Sequence, residues 1–202
     1  MPIGSNQKHN ILKHQKENTI RKKRKSYNIE GHAHELTFSC YFQYKYLANH
    51  TSCSIFLEEL AAARAQLHFY IWAYVLMPTH VHLLIFPTNK TYNTSIILQS
   101  IKGKMSTKYR NYLKEHNPVL FEKMCLEIKG RQTFRFWQAG GGYDRNMWAG
   151  KAIANSIRYI EENPVRAEFV QKPTEWQWSS AHARMLKKGL IPDQTGIPVI
   201  MN

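Results

Sequence analysis

The sequence predicts an α+β fold of ferredoxin-like type, an antiparallel sheet with helices packed on it. Three observations carry this. Short runs rich in β-branched and aromatic residues alternate with amphipathic stretches in the order strand, helix, strand, strand, helix, strand, helix. Two of the strands are separated only by Pro78-Thr79, which predicts a hairpin and therefore antiparallel pairing. At 202 residues and 43% hydrophobic content, the chain is long enough to bury one moderate core with appendages, and it shows no internal repeat.

Residues 1–34 come first and are polar. They carry Lys8, Lys13, Lys16 and the run Arg21-Lys22-Lys23-Arg24-Lys25 against Glu17 and Glu30. Such a segment buries too little apolar area to offset its ordering entropy, so it reads as a flexible basic arm. Phosphate binding and simple solubilisation both suit it. Residues 36–42 read as a first strand, and 54–66 as a helix capped by Thr51 or Ser54. Strands at 69–77 and 81–86 follow. A second helix at 95–115 sets Ile97, Leu98, Ile101 and Met105 on one face and Lys102, Lys104, Lys108 and Arg110 on the rest. Those four cations suit a nucleic-acid backbone, or simply a solvated face. Phe134-Arg135-Phe136-Trp137 reads as the next strand, and Gly140-Gly141-Gly142 as a loop leading into a third helix at 149–162. The organisation expected is an arm at 1–34, a catalytic unit at 35–170 and an extension at 171–202.

The charge balance is far from neutral: 28 Lys and Arg against 14 Asp and Glu give +14, which points to a polyanionic partner. Nucleic acid leads, ahead of an anionic membrane surface. No apolar run approaches the roughly 20 residues of a membrane span, and the N-terminus lacks the apolar core of a signal peptide. A soluble, cytoplasmic protein is expected, nucleoid-associated if DNA is the partner. Cys40, Cys53 and Cys125 form no CxxC pair and read as reduced structural residues.

The most informative stretch runs from Tyr74 to Pro87. Within it His80-Val81-His82 sets two imidazoles on one face of an otherwise apolar strand, with Val81 and Leu83 pointing to the other. A second His-x-His, His32-Ala33-His34, shows that spacing alone is a weak signal. Context separates the pairs, because an apolar strand excludes polar side chains unless they are hydrogen-bonded or ligated. Locally, a divalent metal pair and a hydrogen-bonded pair lining a groove both fit.

The third helix supplies a second group of residues. Ile153, Ile157 and Ile160 mark its core face, and Ala152, Ser156, Tyr159 and Asn163 share an adjacent stripe. Pro164 predicts that the helix ends at Asn163, which places an amide at a helix terminus one turn beyond a phenol. Each of these residues has an ordinary reading as packing or cap.

In combination, Met77-Pro78-x-His80-Val81-His82-Leu83-Leu84, then Tyr159-Ile160-x-x-Asn163-Pro164-Val165-Arg166-Ala167, then Trp178-Ser179-Ser180 resemble the REP-associated tyrosine transposases. These are single-tyrosine members of the HUH endonuclease superfamily, and the resemblance covers about residues 35 to 182. It implies a ferredoxin-like nuclease of HUH type that binds and cuts single-stranded DNA, often beside a hairpin. By position, it implies that His80, His82 and Asn163 ligate a divalent metal, Mg²⁺ or Mn²⁺, and that Tyr159 is the nucleophile. Thr79 departs from the pattern, since many relatives carry Asn there.

The chemistry fits these residue types. A phenol with an ordinary pKa near 10 needs a base, a positive field or a polarised phosphate to attack at neutral pH. A 5′-phosphotyrosine would conserve the phosphodiester energy for rejoining, with no nucleotide cofactor. Two further readings predict different behaviour. A non-catalytic DNA- or RNA-binding regulator retaining the fold forms no covalent adduct, and a metal-dependent hydrolase survives loss of Tyr159. Tyr112, with His116 four residues on, and Tyr109 are rival phenols outside the family pattern, suited to packing or base stacking. A hinge role for residues 140–142 competes with a tight turn. Trp176 and Trp178 suit clamping the tail to the core. Homodimers that exchange tyrosine helices and monomers both occur among relatives.

Overall fold

The computed structural model describes residues 27–128 and 130–198, so Arg21, Lys22, Lys23, Arg24 and Lys25 lie outside the described residues. In chain order the elements are β1 (Ala33–Ser39), α1 (His50–Leu67), β2 (Phe69–Met77), β3 (His80–Pro87), α2 (Thr94–His116), α3 (Pro118–Lys123), β4 (Cys125–Ile128), β5 (Arg131–Phe134), β6 (Tyr143–Met147), α4 (Gly150–Glu161), α5 (Asn163–Arg166) and α6 (Ser180–Leu186). The main sheet has the order β2-β3-β1-β6, with every neighbouring pair antiparallel, which is the ferredoxin-like arrangement. β4 and β5 form a separate two-stranded ribbon.

Both faces of the sheet are covered, which is why β2 reads as a continuous apolar run instead of an alternation. On one face Leu36, Phe38, Leu76, Val81, Leu83 and Ile85 meet Phe56 and Leu60 of α1 and Ile97, Ile101 and Met105 of α2. On the other, Trp72, Val75, Met77 and Leu84 meet Ile153 and Ile160 of α4. Asn caps begin the two long helices. Asn49 accepts from the Ser52 N–H, in place of the Thr51 or Ser54 cap expected, and Asn93 accepts from Ser95.

The fourth strand differs from the sequence expectation. Phe134-Arg135-Phe136-Trp137 was expected to fill that place, yet the ladder beside β1 is formed by the polar β6. An edge strand tolerates polar and charged residues, and here they find partners on β1: Asp144 holds His34 and Arg145 holds Glu35. Phe136 and Trp137 instead sink into the core. Because residues 140–142 precede a paired strand, they do not link directly to α4. Gly142, at φ +75°, presses on the Thr37 carbonyl, where an added Cβ would come within 2.0 Å.

The expected arm boundary also moves. Residues 27–34 are tied down: Asn28 Oδ1 accepts from the Thr94 N–H, Tyr92 donates to the Ile29 carbonyl, and Asn146 donates to that of Tyr27. At the other end, residues 171–198 stitch along the otherwise free edge of β2. Leu76 N–H donates to Trp178 O, Asp193 exchanges bonds with Ile71, and the Trp72 indole reaches Thr195 O. Trp176 Nε1 donates to Leu76 O, so its indole clamps the tail as expected. Ser180, fully buried, accepts from Tyr74 N–H and donates to Glu161, which also pairs with Arg184. Among the described residues no helix is long and apolar enough to cross a membrane.

Candidate active site

Alternation along β3 decides where the site lies. Val81, Leu83 and Ile85 fill the layer under α1 and α2, so His80 and His82 face the side that carries α4. The two imidazoles stand with ring centroids 4.9 Å apart, nearly perpendicular. On α4, Ile153 and Ile160 anchor the helix to the sheet, while Tyr159 next to Ile160 emerges 44% exposed. Its ring lies 5.8 Å from that of His82, edge to face. Residues 77 apart in sequence are thereby brought into contact.

Each imidazole is oriented by a threonine. Thr37 Oγ1 lies 2.9 Å from His82 Nδ1, and Thr79 Oγ1 lies 2.9 Å from His80 Nδ1. With Nδ1 donating to the hydroxyl, each ring presents the Nε2 lone pair to a ligand. Thr79, the departure from the family pattern, thus has a definite task in this chain. Burial pushes both imidazoles down in pKa, His82 to about 4, with the charges of His80 and Arg166 adding to burial at His82. Both are neutral at pH 7, the form in which imidazole ligates a metal.

Asn163 opens α5, where the chain breaks from α4 at Glu162 and Pro164 takes the first turn. Its Nδ2 donates to the carbonyls of Tyr159 (2.9 Å) and Ile160 (3.4 Å). The amide nitrogen is therefore committed to the helix end, leaving the oxygen as the atom that could meet a cation. Arg166 wraps back over the same turn. Its Nη2 donates to Tyr159 O at 2.6 Å, and its guanidinium lies 3.9 Å from the centre of the Tyr159 ring.

Two neutral imidazoles and one amide oxygen make a nitrogen and oxygen donor set compatible with Mg²⁺ or Mn²⁺. Among the described residues no three His, Cys, Asp or Glu side chains gather in one place. Asn163 is the third ligand that the sequence resemblance implies, and its amide oxygen is the atom that could serve.

The other sequence candidates fall elsewhere. Both nitrogens of buried His34 are engaged, Nδ1 with Asp144 at 2.7 Å and Nε2 with Tyr92 at 2.8 Å, and His32 stacks on Trp148. The second His-x-His is thus a structural pair. Tyr109 is buried, with its phenol pushed up to about 12 by burial, and Tyr112 stacks on His116. The cations of α2 lie on the opposite face of the sheet from Tyr159 and are largely occupied. Lys102 donates to Gly140 O, Lys104 to Gln66, and Lys108 pairs with Glu59, while Arg110 reaches the neighbouring Asn111. Sequence reasoning missed Thr37 and gave Arg166 no role. Nothing local in β1 singles out Thr37, since Ser39 is a second half-buried hydroxyl two residues on.

No protein-family model matches the chain. Over 129 residues it is 26% identical to a Haemophilus influenzae protein whose name places it among the REP-associated tyrosine transposases; the match covers 61% of this chain and 65% of that one, just under two thirds of the relative's length. A solved REP-associated tyrosine transposase bound to a REP hairpin superposes with a TM-score of 0.63 at 17% identity, covering 90% of this chain and 99% of that one. A crystal structure of a candidate transposase from Deinococcus radiodurans aligns at a TM-score of 0.43 and 16% identity, covering 69% of this chain and 96% of the other. In sequence and in fold together, the chain resembles the REP-associated tyrosine transposases.

Proposed function

We propose that the protein is a transposase-like enzyme that cleaves and rejoins single-stranded DNA near hairpins through a 5′-phosphotyrosine on Tyr159. The observation that carries this reading is the juxtaposition of Tyr159 with His82 of the His80 and His82 pair, on the face opposite α1 and α2. The hairpin partner is suggested by the relative solved with one, and by a charge of +14. Residues 35–170 would hold the catalytic machinery, with 27–34 and 171–198 packed on it.

In this mechanism the Tyr159 hydroxyl oxygen attacks the scissile phosphorus. A P–O bond to tyrosine forms, the P–O3′ bond breaks, and the departing 3′ oxygen takes up a proton as the phenol loses one. Attack by a different 3′-hydroxyl reverses these steps and rejoins DNA. Arg166 lays its guanidinium over the Tyr159 ring and bonds the Tyr159 carbonyl, bracing the ring beside a permanent positive charge suited to a phosphate. Neutral His80 and His82, steered by Thr79 and Thr37, and the Asn163 oxygen would hold the cation. When bound, Mg²⁺ or Mn²⁺ supplies Lewis acidity at the phosphate oxygens.

The test is a denaturing gel for a covalent protein–DNA adduct on a pool of hairpin oligonucleotides, with Mn²⁺ or EDTA, comparing wild type and Tyr159→Phe. A metal-dependent adduct on the 5′ phosphate that disappears in the variant is expected. Binding without any adduct would favour the non-catalytic regulator, and cleavage that survives Tyr159→Phe would favour the hydrolase.

A further inference from the structure

The loop between β1 and α1 has the sequence Tyr41-Phe42-Gln43-Tyr44-Lys45-Tyr46. The sequence suggested a strand running through Phe42, yet β1 ends at Ser39 and the chain turns sharply. Phe42 (φ 47°) and Gln43 (φ 55°) both adopt the left-handed conformation, which residues with a Cβ avoid and which surrounding contacts must hold in place. What the turn achieves is exposure of two rings, Phe42 at 71% and Tyr44 at 55%.

Neither ring hangs loose. Phe42 stands edge-on to Tyr41 with centroids 4.5 Å apart, and Tyr44 leans on Tyr46, which rests on buried Phe136. Backbone bonds fix the loop on both sides: Tyr41 N–H to Phe136 O, Gln43 N–H to Cys40 O and Tyr44 N–H to Tyr41 O. The exposed positions between and after the rings are Gln43 and Lys45, an amide suited to base edges and a cation suited to phosphate. No acidic residue interrupts residues 40–50.

Position links the loop to the candidate site. Both of its ends grip the turn that carries His80: Cys40 N–H donates to Thr79 O and Leu47 N–H to Pro78 O, while Ser39 pairs in register with His80. The loop is therefore tied by its backbone to the end of the sheet where His80 sits.

We infer that loop 41–45 is a stacking platform for unpaired bases of the DNA strand flanking the cleavage point, with Phe42 and Tyr44 as the stacking rings and Lys45 as a phosphate contact. The inference deepens the reading of the chain as a single-strand DNA enzyme and rests on it. Braced, exposed rings beside a cation are what sequence-tolerant base stacking requires. The strained backbone is then the means of presenting them.

The test is fluorescence anisotropy in EDTA with two probes, a blunt DNA hairpin and the same hairpin with an unpaired tail of mixed sequence. Phe42→Leu and Tyr44→Leu are each expected to raise Kd for the tailed probe roughly tenfold, with the blunt probe unchanged. Phe42→Trp should restore tail binding. Phe42→Gly, which relaxes the left-handed backbone, is expected to keep the fold and yet to lose tail binding like Phe42→Leu. Equal binding of the tailed probe by wild type and the leucine variants would overturn the inference, as would parallel loss on both probes. Failure of the adduct assay alongside tail-selective loss would overturn the catalytic reading and leave the platform standing.

Discussion

Replacing Gly142 with alanine tests whether residues 140–142 serve as a hinge or as a fitted contact. At Gly142 the backbone has φ +75°, and a Cβ would lie 2.0 Å from the Thr37 carbonyl oxygen and 2.9 Å from Phe38 Cβ. The close neighbours are strand backbone and the root of a buried ring, so they cannot swing aside. The left-handed conformation costs about 1–2 kcal/mol once a Cβ is present, and forcing atoms apart in a packed region adds about 1–3 kcal/mol. The expected loss is about 3 kcal/mol, which for a chain of this size lowers Tm by roughly 6–12 °C.

Its neighbours supply internal controls. Gly141 has an ordinary φ and open space around its Cβ position, so Gly141→Ala should be neutral or slightly stabilising. Gly140, at φ +96° and unobstructed, should lose about 1 kcal/mol from the backbone alone. Urea denaturation of the three single variants reads these directly. The effect should also reach the site, because Thr37 orients His82. Gly142→Ala should weaken Mn²⁺ binding beyond what Gly140→Ala does. A Gly142→Ala protein within about 0.5 kcal/mol of wild type would refute the steric reasoning and reopen the hinge.

Removing the threonine hydroxyls should loosen the imidazoles without emptying the site: Thr37→Val and Thr79→Val are each expected to weaken Mn²⁺ binding by about 10- to 100-fold in calorimetric titration, and unchanged affinity would dismiss the orienting role. Acid should destabilise the metal-free protein through His82. Its ordinary pKa of 6.5 falls to about 4 in the fold, so between those values the unfolded chain takes a proton that the native state refuses. Stability is then full above pH 6.5 and declines as pH falls through that window, by on the order of 3 kcal/mol for this group. Urea melts in EDTA should show that much less loss in His82→Gln, and parallel curves for the two proteins would contradict it.

How far the sequence could be read depended on whether a residue's role was local. The imidazole face of β3 was legible because period-two alternation is a property of the strand itself, and the core stripe of α4 because helical spacing is too. β6 was not legible: Tyr143-Asp144-Arg145-Asn146-Met147 has the composition of a loop, and it becomes a strand only through partners on β1 that lie about 110 residues away. The same distance hid Thr37, whose contact with His82 exists only once β1 and β3 pair in register. Phe134-Arg135-Phe136-Trp137 misled for the opposite reason. Its aromatics satisfy a strand pattern locally, while the fold uses Phe136 and Trp137 to fill the core under β1. The Trp178-Ser179-Ser180 block was legible as a family feature but not as physics. Its logic is that Ser179 caps α6 while Ser180 ties β2 to the end of α4.

The proposed donor set of His80, His82 and Asn163 has an electrostatic consequence. His80, His82 and Asn163 bring no negative charge, and Arg166 adds a positive one beside them. A divalent cation placed there keeps its charge uncompensated until an anion arrives, and the phosphate of a bound strand is that anion. Metal and DNA should therefore bind weakly apart and well together, each raising the affinity of the other by the same factor, as linkage demands. Titrating Mn²⁺ into Tyr159→Phe with and without a tailed hairpin measures that factor, and titrating the hairpin with and without Mn²⁺ must return the same value. A coupling of about tenfold or more is expected, equivalent to about 1.4 kcal/mol. Independent binding would mean that the phosphate does not reach the cation, and it would remove the electrostatic reason for a site built without a carboxylate.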